Sequence, residues 1–89
     1  GGLTLRLAPA TGGSIASFEW QEGGRQWAIL RGCAGAVPDV LAAASFPLVP
    51  FVNRIRGGRF SFRGRTISLA PNMAGDPSPL HGQGWQGAW

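Results

Sequence analysis

An all-β fold is what this sequence predicts, on three observations. Apolar and polar residues alternate with a period of two in several short runs. Fifteen glycines and seven prolines cut the 89 residues into short pieces, which favours strands joined by tight turns over long helices. A hydrophobic content of 44% with a mean hydropathy of +0.04 belongs to a chain that folds.

The elements follow in order. "LTLRLA" (3–8) alternates as a half-buried strand should, and "ATGGS" (10–14) supplies a turn. "SIASFEW" (14–20) sets Ile15 on one parity and Ser14, Ala16, Phe18 and Trp20 on the other. "QEGG" (21–24) turns the chain into "RQWAILR" (25–31), centred on Trp27 and Ile29, which completes an antiparallel meander. "GCAGAVPDVLAAAS" (32–45) is read as an irregular loop, the alternative being one helical turn entered at Pro38. In "GGRFSFRGRTISL" (57–69), Phe60 and Phe62 share a parity, Gly64 sits in the bend, and Ile67 and Leu69 continue the return strand. "APNMAGDPSP" (70–79) is loop by composition, and one domain over 1–89 accounts for the pattern.

Composition narrows the chemistry. The single Cys33 excludes an internal disulfide and a four-thiolate zinc site, and reads as a small buried residue of a reducing compartment. One histidine, one cysteine and four scattered carboxylates give no metal-ligand spacing, so no metal is expected. Glu19, Glu22 and Asp76 read as polar turn residues, with no carboxylate pair of the kind glycosidases use. Nucleophilic catalysis by Cys33 with His81 would need a third orienting group and is set aside. Val40–Val52 is apolar but too short to span a membrane, and Pro47 and Pro50 interrupt it. No basic-then-apolar leader is visible, so a cytoplasmic location is expected.

All eight basic residues are arginine, and the net charge is +4. Arg54, Arg56, Arg59, Arg63 and Arg65 lie within twelve residues. Such a cluster suits anionic or hydroxyl-rich ligands, because the planar guanidinium offers several fixed donors. No recognised nucleic-acid motif accompanies it, so nucleic acid is not an expected partner. Arg63 and Arg65 read as solvated residues on the outer face of the hairpin.

The most hydrophobic run, "FPLVPFV" (46–52), ends abruptly in Asn53-Arg54. Its prolines make a stiff, extended arm that can aim two polar side chains into a cleft. Arginine gives charge-assisted hydrogen bonds, and an amide offers donor and acceptor together, which matches a sugar hydroxyl. Equally, Arg54 could pair with an acidic residue elsewhere and Asn53 could cap a turn. His81, followed by Gly82, is able to donate, accept or polarise, although a single loop histidine is more often structural. Trp85 and Trp89 can pack in a core or form a flat platform for the C–H face of a pyranose.

Beyond these residue-level readings, "FPLVPFVNRIRGGRFSFRGR", "ISLAPN" and "PLHGQGWQGAW" together resemble the aldose 1-epimerase (galactose mutarotase) family. The match runs in order: the "GGSIASF" strand, "NRI" before a glycine turn and an F-x-F-x-G hairpin, L-x-x-N at 69–72, then L-H-G-x-G-W and a second tryptophan. The ordered set over residues 12–89 carries the resemblance, rather than any single piece. It implies an antiparallel β-sandwich of the mutarotase type, here its N-terminal part. It also implies that Asn53, Arg54 and His81 bind a hexose substrate, with no metal or cofactor.

The implied reaction interconverts the α- and β-anomers of a free hexose. A base takes the anomeric proton while an acid protonates the ring oxygen, the ring opens, and the aldehyde is attacked from its other face. In the family the acid is a later histidine and the base a later glutamate, expected beyond Trp89. The 89 residues alone are therefore expected to be inactive, and to pair with themselves or with the remaining part. Two other readings stand beside this one. The first is a hexose-6-phosphate 1-epimerase of the same fold, which the arginine count would suit. The second is a non-catalytic carbohydrate-binding β-module.

Overall fold

The computed structural model describes every residue from Gly1 to Trp89. Five strands and three short 3-10 turns follow one another, and both sheets are antiparallel, as expected of an all-β chain. Two compact units are formed, residues 1–47 with 84–89, and residues 48–83.

In the first unit, β1 (Gly2–Ala8), β2 (Ser14–Glu22) and β3 (Arg25–Leu30) make the meander, in that spatial order. Gly23 and Gly24 join β2 to β3 with φ of 57° and 74°. Two successive positive φ angles match the twist of a two-residue hairpin, and only glycine takes them freely. Glu22 then faces Arg25 across the ladder, and the Glu19 carboxylate accepts a hydrogen bond from the Gln26 amide. This corrects the expectation that Glu19 and Glu22 are turn residues: both lie on β2. Cross-strand partners hold them there, and the turn needs only the two glycines.

The core of this unit is made of small side chains. Ala16, Val37 and Ala43 are buried together, with Ala8 and Cys33 packed against them. Small residues let the 32–45 segment lie close on β2, where the Cys33 N–H donates to the Ala16 carbonyl at 2.8 Å. The loop expected for 32–45 contains one short 3-10 turn, Val40–Ala42. Its start is set by Asp39, whose carboxylate accepts the Leu41 N–H at 2.7 Å, rather than by Pro38. Trp85 is buried against Phe46, ring centroids 6.2 Å apart. Trp89 is exposed, its indole N–H donating to the Gly84 carbonyl at 2.7 Å.

One expectation fails on β1. Its alternation predicted a half-buried strand, yet Leu3, Leu5 and Leu7 are 61%, 52% and 57% exposed. Leu3, Trp20 and Trp27 stand opposite one another across the three strands, so the pattern does build an apolar row. A single sheet supplies the row but no second layer to cover it.

The second unit carries β4 (Arg59–Phe62) and β5 (Arg65–Ser68), paired as the predicted hairpin with Arg63 and Gly64 in its bend. Arg63 and Arg65 are exposed, and the Arg63 guanidinium lies 5.2 Å from the centre of the Phe62 ring. Gly58, Pro79, Leu80 and Gly82 are its buried residues. No helix anywhere in the chain is long and apolar enough to cross a membrane.

The β2–β3 turn gives a direct test. A side chain at Gly23 would meet nothing within 4 Å, so backbone conformation alone resists it. Gly23→Val should cost about 1–2 kcal/mol, whereas Gly23→Asn, tolerant of positive φ, should cost much less. Denaturant midpoints of the two variants check the difference.

Candidate functional site

The 48–83 unit gathers Asn53, Arg54 and His81 into one place. The Val49–Pro50 peptide is cis, and the arm expected to be stiff and extended bends at Pro50, Val52 and Asn53. Beyond it, residues 53–55 run beside 79–81. The His81 N–H donates to the Asn53 carbonyl at 2.9 Å, and the Ile55 N–H to the Pro79 carbonyl at 3.2 Å. Arg54 and Leu80 form the antiparallel bridge between these two contacts. On the same stretch, the Gln83 N–H donates to the Val49 carbonyl at 3.0 Å.

Asn53 and His81 meet twice. Besides the backbone bond, the Asn53 N–H donates to His81 Nδ1 at 2.8 Å. Both residues are in the left-handed region, with φ of 67° and 57°. Asparagine visits that region routinely, histidine much less, and the reciprocal bonds offset the strain. Gly82 follows with φ of 65°. A Cβ there would lie 2.1 Å from the Val49 carbonyl oxygen, so close backbone approach requires glycine after the histidine.

Arg54 turns to Asp76. Its Nε donates to Asp76 Oδ2 at 2.5 Å, and Nη1 lies 3.4 Å from Asn53 Oδ1, which also accepts the Arg54 N–H at 2.9 Å. The Arg54 side chain is 55% exposed and that of Asp76 15%. Asp76 Oδ1 accepts the Ser78 N–H at 2.9 Å, closing an Asx turn. That backbone bond first, and the Arg54 guanidinium second, hold the Asp76 carboxyl below its ordinary value of 3.8.

The structure thus joins Asn53 directly to both His81 and Arg54, and sets two further side chains beside them. Asp76, expected only to shape a turn, is also the ion-pair partner of Arg54. Asn72, noticed only as the last letter of L-x-x-N, bonds the backbone on both sides of His81. Nothing in the spacing of "NMAGDPSPLHG" marks either contact, since both arise from the way the loop doubles back. A hollow of about 670 Å³ in this unit is lined by Phe51, Ile55, Phe60, Leu69 and Pro79, with Asn72 and Gly82 at its wall. Asn53, Arg54 and His81 do not line it.

The depressed Asp76 titration has a definite sign. A carboxyl easier to ionise in the folded state stabilises the fold above its unfolded value, and that contribution disappears as pH falls through the lower folded value. Asp76→Asn should therefore be less stable than the unaltered chain at pH 7, and the gap should close below pH 3.8. Denaturant unfolding of both proteins at pH 7 and pH 3 measures it.

The aldose 1-epimerase family model matches residues 7–89. The uncharacterized protein YphB of Escherichia coli K12 is 53% identical over 47 residues, which are 53% of this chain and 16% of YphB. A crystal structure from Escherichia coli K12, provisionally named an aldose 1-epimerase, is 38% identical with a TM-score of 0.71. That likeness covers 99% of this chain and 32% of the solved one, so the chain spans about a third of its relative's length. With the family model matched from residue 7 to residue 89, this chain belongs to the aldose 1-epimerase family.

Proposed function

We propose that this chain contributes the sugar-contacting arm of an aldose 1-epimerase that interconverts the α- and β-anomers of a free hexose. The observation that carries the reading is the single cluster of Asn53, Arg54 and His81, tied through backbone bonds and the Asn53–His81 contact. In this reading the Arg54 guanidinium donates to the ring and anomeric oxygens. His81 orients the sugar and stabilises charge that develops as the ring opens.

Ring opening needs an acid on the ring oxygen and a base on the anomeric hydroxyl. His81 is the only histidine among the 89 residues. Both glutamates, Glu19 and Glu22, lie on β2 in the other unit. We assign the acid and base to chain outside these residues, which is consistent with a span of about a third of the solved relative.

Two experiments test the proposal. Exchange between the anomers of galactose or glucose, followed by NMR, should stay at the uncatalysed rate with the 89-residue chain alone; clear turnover would refute the assignment of acid and base. In a complete enzyme containing this segment, Arg54→Ala should lower kcat/KM by about 10²-fold with the fold preserved. Arg54→Lys should recover little, because an ammonium cannot reproduce the planar fork. Near-normal activity of Arg54→Ala would remove Arg54 from the site. Titration with glucose and glucose 6-phosphate separates the phosphorylated-substrate reading, which requires strong preference for the ester.

A further inference from the structure

We propose that Asn72 is a positioning residue that, with the Asn53 backbone, fixes His81 as a single imidazole tautomer whose proton sits on Nε2. The argument starts from donors. A backbone N–H can only donate, so the 2.8 Å bond from Asn53 makes His81 Nδ1 an acceptor. A neutral imidazole carries one proton, and with Nδ1 engaged as acceptor that proton sits on Nε2. His81 therefore offers a fixed N–H donor to an oxygen ligand.

The 2.8 Å bond holds only if the His81 backbone is held, and Asn72 holds it from both sides. Its Oδ1 accepts the Leu80 N–H at 2.7 Å, while its Nδ2 donates to the Leu80 carbonyl and the Gly82 carbonyl, each at 2.8 Å. One half-buried amide thus serves the residue before His81 and the residue after it. The second fixed point is the His81 N–H to Asn53 carbonyl bond at 2.9 Å. Between these restraints, His81 sits in a left-handed conformation that a histidine seldom takes alone. No acidic group orients the ring; main-chain polarity does. The usual arrangement, in which a carboxylate or carbonyl accepts from Nδ1–H and leaves Nε2 bare, is reversed here.

This inference rests on the sugar-binding reading only for the identity of the oxygen ligand, and its test uses no sugar. The chain has one histidine, so long-range ¹H–¹⁵N correlation spectra of the imidazole report His81 alone. At pH 9, where an ordinary histidine is neutral, the unaltered chain should show a bare Nδ1 and a protonated Nε2. Asn72→Ala, with amide dispersion retained, should lose that pattern and give averaged ring nitrogens. Asn72→Asp should behave likewise, since its carboxylate can accept from Leu80 but cannot donate to the two carbonyls.

A protonated Nδ1 or a tautomer mixture in the unaltered chain overturns the proposal. So does an unchanged pattern in a folded Asn72→Ala. If neither variant folds, Asn72 is a scaffold group and the positioning role falls. A sugar titration of a complete enzyme containing this segment keeps the two readings apart: a fixed tautomer in the chain, with neither galactose nor glucose bound by the complete enzyme, refutes the substrate assignment and leaves the role of Asn72 standing.

Discussion

The hydrogen bond from the Asn53 backbone to the His81 ring is the constraint on which the candidate site depends. It joins residues 28 positions apart, and it works only because both ends have left the ordinary backbone regions. Each departure is unfavourable alone and is offset by bonds that neither residue could make in an extended conformation. The pairing of 53–55 with 79–81, the glycine after the histidine and the amide of Asn72 all serve that contact. Little apolar burial supports it: in this unit only a few residues around Gly58 and 79–82 are buried. Directional bonds, rather than packing, define the geometry.

Arg54 shows how a structural ion pair leaves room for the ligand-binding role proposed for it. A guanidinium has five N–H donors in a rigid fork. Asp76 takes the Nε edge, Asn53 lies near Nη1, and the side chain stays more than half exposed. Pairing with a carboxylate and contact with a ligand are therefore not competing fates for this residue. The ion pair fixes the plane of the fork, which is the preorganisation a hydroxyl-rich ligand would exploit.

Much of this was legible in the sequence. The meander and the F-x-F-x-G hairpin follow from period-two alternation and glycine position, and β-strand physics leaves little choice once those are set. Asn53 and Arg54 stood out because polar residues ending a proline-braced apolar run need a reason to be there, and His81 because it is the only histidine and stands before a glycine. What alternation could not give was coverage. Leu3, Leu5 and Leu7 have the spacing of a buried face, but spacing says which side chains share a face and not whether another layer lies on it. Likewise Asp76 and Asn72 act through main-chain groups of Ser78, Leu80 and Gly82, and side-chain spacing carries no trace of such bonds. Asp39 before the 3-10 turn was the one capping signal that could have been read, since Asp followed two residues on by a free N–H is a recognised helix start.

The bare corner between β2 and β3 has a practical consequence. Gly23 and Gly24 have no neighbouring atom where a side chain would stand, so this corner is an entry point for splicing in a reporter peptide. The entropic penalty of a longer connection rises only with the logarithm of its length. An insertion there would lie outside residues 48–83 and interrupt none of the hydrogen bonds within them, so a fluorophore carried at that corner would leave the chain segments of Arg54 and His81 unaltered.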